Sequence, residues 1–265
     1  MAEEPISISD EEMKEALGRS GYLLEARLAA VLRARCGYSD ANEPYADPLT
    51  GKSRELDLGG LLGPEFLWND RNAIFGHLLI ECVNNPQPIA FFMRDTLWAG
   101  FQEENIHCVG IPVLFPDGER RVPLSRKLDM MHYHHYCTGP IATQYCSFVR
   151  KKDKGEWMAI HDDEQFGCIS ALCNAMSHCA EQHYRNYEPG PERVNLEFYY
   201  PILALQGELV DVRQEKGTVL LNSADHLRFQ RSVSAHGHDH SYGIDVVTES
   251  AFPKLLNLIE KEVFD

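Results

Sequence analysis

The sequence predicts an α/β protein with a mixed central sheet flanked by helices and a β-rich second half. Short apolar runs around Asp57 and Glu81 have the pattern of core strands, an amphipathic helix precedes them, and a second long helix pattern follows near residues 163–183. With 265 residues and 44% hydrophobic content, the chain can bury a full core. We expect a single domain over residues 1–265, with a core at about 20–183 and a β-rich extension with a C-terminal helix at about 194–265.

Two helices are predicted at the start of the chain. Ser9 and Glu12 have the spacing of a capping box, which predicts a short acidic helix. Between residues 21 and 35, apolar side chains recur at helical spacing, and Glu25 lies at the border of this stripe. An ordinary salt-bridged glutamate is the alternative interpretation of Glu25. Its position ahead of the Asp57 and Glu81 strands favours a role in a site.

The runs Thr50 to Leu58 and His77 to Val83 are predicted to be neighbouring core strands. Side chains alternate faces along a strand, so Leu56 and Leu58 are expected on one face and Asp57 on the other. The polar stretch at residues 39–50 contains two prolines and predicts a loop or an irregular edge segment.

Asp57 and Glu81 can stand side by side if the two strands pair. Each carboxylate lies among leucine, isoleucine and valine, where burial is costly unless a cation or hydrogen-bond donors compensate it. Two such carboxylates also repel each other, so a bound divalent metal ion is the simplest compensating group. The pair therefore predicts a metal site.

Together with the helix that precedes them, these strands resemble the PD-(D/E)XK nuclease superfamily, which has the restriction-endonuclease-like fold and an αβββαβ core. The matching segments are residues 21–28, 51–57 and 81–83. The resemblance implies a metal-dependent phosphodiester hydrolase, a nuclease acting on DNA, that holds Mg²⁺ or Mn²⁺. The implied metal ligands are the carboxylates of Glu25, Asp57 and Glu81 and the carbonyl of Cys82.

One position departs from the family pattern, because the lysine of the E-x-K motif is Val83 here. Valine can neither orient an attacking water nor stabilise charge on a phosphate. We expect Lys52, Arg54 or Arg94 to supply a positive charge from a neighbouring position, with arginine limited to clamping phosphate because it stays charged. The alternative is a catalytically inactive nuclease-fold module that binds nucleic acid or protein.

The net charge limits how the chain can bind DNA. Lys and Arg number 25 against 40 Asp and Glu, which gives −15, the wrong sign for gripping nucleic acid over the whole surface. Positive residues would have to be concentrated in one groove. Candidates are the basic clusters at residues 120–121, 126–127 and 150–152, although solvated loop charge explains them equally well.

The cysteines and the N-terminus predict a cytoplasmic protein. The eight cysteines are spread singly without a C-x-x-C pair, which is typical of reduced thiols. The N-terminal residues are acidic and lack the apolar core of a signal peptide. No run approaches the roughly eighteen apolar residues of a membrane span. A homo-oligomer or a protein partner is an open possibility.

The second half is predicted to contain several strands and two helices. One hairpin is expected around the charged turn at residues 151–155, and another around Gln206 and Gly207. Further strands are expected between residues 218 and 247, before a helix that ends near Val263.

Two histidine clusters, His132 to Cys137 and His236 to His240, raise the alternative of a zinc-dependent protein. The first cluster fits no standard zinc module and lacks a second half, so packing or ligand contact is the favoured interpretation. The second is interpreted as a flexible loop between strands, because the sequence identifies no partner ligand.

Overall fold

The computed structural model describes residues 7–63, 72–95, 106–110, 114–117, 120–123, 132–151, 155–186, 194–235 and 238–264. Within these ranges the α-helices are α1 (Asp10–Arg19), α2 (Tyr22–Arg33), α3 (Asp163–Asn186) and α4 (Phe252–Phe264). The strands of the first half are β1 (Tyr38–Ala46), β2 (Ser53–Leu62), β3 (Asn72–Val83), β4 (Ile89–Arg94), β5 (His107–Gly110), β6 (Leu114–Asp117) and β7 (Arg120–Pro123). Those of the second half are β8 (Ile141–Arg150), β9 (Trp157–Ile160), β10 (Val194–Leu205), β11 (Leu209–Glu215), β12 (Thr218–Ala224), β13 (His226–Ala235) and β14 (His238–Thr248).

One large mixed sheet organises the described part of the chain, with the strand order β1-β2-β3-β10-β14-β13-β8-β4-β11-β12. Strands β1, β2 and β3 form an antiparallel meander, and β10 pairs with β3 in parallel along its whole length. Strand β14 continues the sheet parallel to β10. The predicted α/β class with a mixed sheet and flanking helices is confirmed. Strands from the two halves of the sequence share this sheet.

Apolar clusters on the two faces of the sheet account for the positions of the helices. On one face the buried leucines of α2 and the apolar side of α4 pack against alternate residues of β3 and β10. On the other face α3 packs against the intervening residues. This is the burial that an amphipathic helix needs. Among the described helices, none is both long and apolar enough to cross a membrane.

Several local predictions are confirmed. Ser9 and Glu12 form the capping box at the start of α1, and β8 and β9 form the expected hairpin. The segment at residues 39–50 provides β1, an edge strand, which agrees with the irregular edge segment. The sequence also predicts an ordered insertion at residues 59–76, between the two acidic strands, and a short helix at residues 96–104. The central part of the insertion and all of the predicted helix lie outside the described residues.

The hairpin predicted around Gln206 and Gly207 is wrong. Strand β10 is already flanked by β3 and β14, so β11 cannot pair with it. Strand β11 pairs instead with β4 in parallel and with β12 in antiparallel orientation. A turn signal specifies the local bend, but the partner of each strand depends on the rest of the sheet.

Candidate metal centre

The Asp57 and Glu81 strands pair as the sequence predicts. The antiparallel ladder of β2 and β3 runs to Leu58 opposite Ile80, and Asp57 and Glu81 are the next residues on the two strands. At this point the Oδ2 atom of Asp57 accepts a hydrogen bond of 2.7 Å from the backbone N–H of Cys82. A side-chain oxygen thus replaces a backbone acceptor where the ladder ends, and it fixes the Asp57 carboxylate beside the Glu81 segment.

Strand β2 does not keep a simple alternation at Asp57, which corrects one prediction. Leu58 packs in the cluster under α2 and α4, whereas Leu56 packs in the cluster under α3, so these leucines do not share a face. The position opposite Asp57 in the pairing of β1 and β2 is Asn42, which has a left-handed φ of 56°. Asparagine tolerates this conformation better than most residues. The left-handed residue of β1 and the change of face in β2 therefore lie at the same level of the sheet.

Glu25 approaches the same region from α2. A Cβ atom placed on Gly21 would lie 3.2 Å from Glu25 Oε1 and 3.9 Å from the carbonyl oxygen of Cys82. Both oxygens therefore lie close to Gly21. Two of the predicted ligands, the Glu25 carboxylate and the Cys82 carbonyl, thus approach the same glycine.

The three carboxylates destabilise one another's charged forms. Burial and the nearby charge of Asp57 raise the pKa of Glu81 to about 8, although the Cys168 thiol and the Asp57 backbone N–H donate hydrogen bonds to it. Burial raises the pKa of Asp57, an effect that the hydrogen bond from Cys82 reduces. Burial and Asp57 raise the pKa of Glu25. All three shifts favour the protonated acids, as expected for acids that lack a compensating cation.

The compensating cation is absent from the described protein groups. Among the described residues, no Lys, Arg or His nitrogen lies within 4.0 Å of the Glu25, Asp57 or Glu81 carboxylates. Among the residues that the structure describes, the Oε1 atom of Glu81 is buried without a hydrogen-bond partner. Such a carboxylate oxygen, with the carboxylates of Asp57 and Glu25 and the carbonyl of Cys82 nearby, matches the all-oxygen donor set that Mg²⁺ and Mn²⁺ prefer.

The carboxylates are nevertheless not drawn tightly together. Two groups of described residues place three potential ligand atoms within 4.8 Å of one another, and both contain His135. The set of Glu25, Asp57 and Glu81 is not one of these groups. To bind an ion directly, the carboxylates would have to move closer together. Otherwise some of them would contact the ion through bridging water molecules, and Mg²⁺ commonly keeps several waters.

The predicted positive residues lie at different distances from this centre. Lys52 is exposed in the turn before β2. Arg54 is 58% exposed and pairs with the buried Asp47 at 3.4 Å. Arg54 lowers and Glu81 raises the pKa of Tyr45, so both charges act on this phenol. Arg94 donates a hydrogen bond to Gln230 on β13, which β14 and β10 separate from β3 in the sheet.

Val83, at the motif lysine position, is 1% exposed and packs in the apolar cluster under α3. It contributes to the core rather than to the polar side of the site. Sequence reasoning missed two neighbours of Glu81. The thiol of Cys168 on α3 donates to its carboxylate. Tyr45 lies close enough that burial, Glu81 and Asp47 together raise the pKa of its phenol to about 12. No local sequence pattern links either residue to Glu81, because both come from distant segments of the chain.

The histidine clusters have different outcomes. His134 and His135 are buried, and their partners Asp245 and Glu262 lie more than a hundred residues further along the chain. The sequence therefore gave no sign of them. In the second cluster, His238 and His240 belong to β14, so this strand begins within the predicted loop, and residues 236–237 lie outside the described ranges.

Comparison of the chain with protein-family models, with curated proteins and with solved structures finds no match in any of the three.

Proposed function

We propose that the chain is a metal-dependent phosphodiester hydrolase acting on DNA, with Glu25, Asp57 and Glu81 holding Mg²⁺ or Mn²⁺. The observation that carries the proposal is the meeting of three uncompensated, partly or wholly buried carboxylates from α2, β2 and β3. Buried carboxylates without a cation destabilise the folded protein, and a metal-binding role would explain why the chain contains them.

The order of elements supports the same proposal. Helix α2 is followed by the antiparallel strands β1, β2 and β3, and α3 then leads to β10, which lies parallel to β3. With strands β4–β9 inserted between β3 and α3, this order resembles the αβββαβ order expected of a restriction-endonuclease-like core. The acidic residues occupy the first helix, the second strand and the third strand of that order.

Each residue has a defined role in this proposal. The three carboxylates and the Cys82 carbonyl would hold the ion, and the Asp57–Cys82 hydrogen bond would fix their relative positions. Bound Mg²⁺ or Mn²⁺ supplies a water of lowered pKa and a Lewis acid for the phosphate. Lys52 and Arg54, at the exposed start of β2, would bind phosphates of the DNA strand and offset locally the net charge of −15.

The test is cleavage of supercoiled plasmid and of single-stranded DNA by the full chain with Mg²⁺ or Mn²⁺. We expect cleavage that disappears with a chelator and falls by roughly a hundredfold or more in Asp57→Asn and Glu81→Gln, which keep the side-chain size. The control Glu15→Gln removes an exposed carboxylate on α1 and should have no effect. Cleavage that survives both site variants would overturn the proposal.

The buried position of Val83 favours a second candidate, a catalytically inactive module that binds nucleic acid or protein. Without a lysine beside Glu81, the fold would retain the ion and a binding surface but lose hydrolysis. Absence of cleavage with either ion, together with Mn²⁺ binding that Glu81→Gln abolishes, would support this candidate over the enzyme.

A further inference from the structure

A second group of potential metal ligands meets on the α4 side of the sheet, formed by His135, His226 and Asp245. His135 lies in a 3-10 turn (His135–Cys137), His226 begins β13 and Asp245 lies within β14. The Oδ1 atom of Asp245 is 3.1 Å from Nε2 of His135 and 2.7 Å from Nε2 of His226. These three donor atoms all lie within 4.8 Å of one another.

Glu262 on α4 orients His135 for this role. Its Oε2 atom is 2.6 Å from Nδ1 of His135, and its Oε1 atom accepts the His135 backbone N–H at 2.5 Å. A proton on Nδ1 therefore points at Glu262, and Nε2 faces the Asp245 carboxylate. Two acceptors cannot face each other without a cation between them, which is either a proton or a metal ion. Metal-ligating histidines commonly give their other N–H to a carboxylate in this way.

His134 does not belong to the ligand set, although it lies beside Glu262. Its Nδ1 atom accepts the backbone N–H of Tyr136 at 3.2 Å. A neutral His134 consequently carries its proton on Nε2, which is 3.6 Å from Glu262 and 3.5 Å from the hydroxyl of Tyr200. This nitrogen is within hydrogen-bond distance of Tyr200 and too far from Glu262 for a hydrogen bond, so His134 stays outside the set of donors around Asp245.

The remaining contacts complete the enclosure of Asp245. The hydroxyl of Tyr136 donates to Oδ2 of Asp245 at 2.8 Å. Arg228 donates to the carbonyl oxygens of His135 and Pro140 and so anchors the turn that carries His135. Asp245 is fully buried, whereas the His226 side chain is 26% exposed. An ion can therefore reach the three ligand atoms from solvent past the His226 side chain.

We propose that His135, His226 and Asp245 bind a transition-metal ion of the zinc class at a site separate from the three carboxylates of the metal centre described above. Two imidazole nitrogens and one carboxylate suit Zn²⁺ better than Mg²⁺. Bonds of about 2.1 Å in a tetrahedron put neighbouring donor atoms about 3.4 Å apart, so small shifts from the present spacing accommodate the ion. Binding releases the proton between Nε2 of His135 and Asp245 to solvent, and it requires a neutral His226 to carry its proton on Nδ1, which leaves Nε2 of His226 for the ion. The ion then joins the 3-10 turn to β13 and β14.

In the absence of an ion, the same residues form a buried ionic network. Burial lowers the pKa of His135, but Asp245 and Glu262 outweigh this and raise it to about 9. Burial opposes ionisation of Asp245, yet His135 and His226 hold its pKa far below the usual range. In the metal-bound form the ion takes the place of the protons that Nε2 of His135 and Nε2 of His226 direct at Asp245.

Zinc content and Co²⁺ binding of the purified full-length chain test the proposal. We expect about one zinc ion per chain after dialysis, and Co²⁺ absorption bands of a low-coordinate site. His226→Ala should weaken Co²⁺ binding roughly tenfold or more and remove zinc-dependent stabilisation. His161→Ala, at an exposed histidine that contacts Tyr145, is the control and should bind as the unchanged chain does.

X-ray absorption at the zinc edge tests the same site without a substitution. The proposal expects nitrogen and oxygen scatterers at about 2.0–2.2 Å, including two imidazoles. It is overturned by sulfur ligands, by no retained zinc, or by equal Co²⁺ affinity in His226→Ala and the unchanged chain. Glu81→Gln should retain zinc, so loss of the Mg²⁺ or Mn²⁺ centre and loss of this site give different results.

Discussion

The backbone N–H of Cys82 donates a hydrogen bond of 2.7 Å to the carboxylate of Asp57, directly beside Glu81. This bond joins β2 to β3 where their ladder ends. It keeps an acidic side chain next to a second acid whose buried Oε1 atom has no hydrogen-bond partner among the described residues. The geometry of the proposed metal centre depends on this contact.

Removing the Glu81 charge is expected to stabilise the metal-free protein at high pH. The folded-state pKa of Glu81 is raised from 4.5 to about 8. Its contribution to the free energy of unfolding is therefore fully present below about pH 4.5 and is lost as pH rises through about 8. At pH 9, Glu81→Gln should have a free energy of unfolding on the order of 5 kcal/mol above that of the unchanged chain.

Urea unfolding at several pH values in the presence of a chelator measures this effect. The advantage of Glu81→Gln should grow between about pH 5 and pH 9 and become small at the acidic end. Glu15→Gln, at an exposed site on α1, should show no such trend. If the difference in the free energy of unfolding between Glu81→Gln and the unchanged chain does not vary with pH, the raised pKa of Glu81 is contradicted.

A methyl group at Gly21 is expected to weaken metal binding. In Gly21→Ala the new Cβ would sit 3.2 Å from Oε1 of Glu25, so this carboxylate must move from its place near the Cys82 carbonyl. Calorimetric titration with Mn²⁺ should show an affinity lower by roughly tenfold. Gly18→Ala, which meets nothing within 4 Å, is the matched control. Equal affinities in the two variants would remove Glu25 and Cys82 from the ligand set.

Arg54→Ala is expected to weaken DNA binding more than it weakens the fold. The exposed ion pair of Arg54 with Asp47 contributes about 0–1 kcal/mol, so the melting temperature should change little. Loss of a phosphate contact should raise KM and reduce the salt dependence of binding. Arg213→Ala, in the corresponding Arg213–Asp211 pair on β11, should leave both quantities unchanged. If both substitutions change KM and the salt dependence of binding equally, Arg54 does not contact the phosphates of DNA.

Asn42 is expected to support Asp57 through the backbone. Its φ of 56° suits glycine and asparagine, so Asn42→Gly should be tolerated, whereas Asn42→Val should cost about 1–2 kcal/mol. If the irregularity aligns Asp57, Asn42→Val should also lower Mn²⁺ affinity, while Asn42→Gly keeps it. Thermal unfolding and Mn²⁺ titration measure the two effects separately. Normal Mn²⁺ affinity in a destabilised Asn42→Val would confine the role of Asn42 to folding.

Local sequence patterns predicted the parts of the fold that depend on local interactions. Apolar spacing predicted α2 and the strands around Asp57 and Glu81, and the capping box predicted the start of α1. Strand partners over long separations were not predictable. The turn at Gln206 suggested a hairpin, but β10 takes β3 as its neighbour from more than a hundred positions earlier.

The candidate sites show the same limit. Asp57 and Glu81 could be placed side by side because they occupy adjacent strands. Simple alternation failed between Leu56 and Leu58, beside a residue of β1 with positive φ that no sequence pattern indicated. The contacts of His135 could not be predicted from the sequence, since Asp245 and Glu262 come from the end of the chain. Such long-range contacts depend on the complete sheet.

Anomalous diffraction from crystals containing Mn²⁺ tests the central claim most directly. The account predicts an anomalous peak within about 2.0–2.6 Å of ligand oxygens from Asp57 and Glu81, with Glu25 or the Cys82 carbonyl completing the protein ligands. The peak should be lost in Glu81→Gln. A well-ordered Mn²⁺-soaked structure without density between these carboxylates would contradict the account.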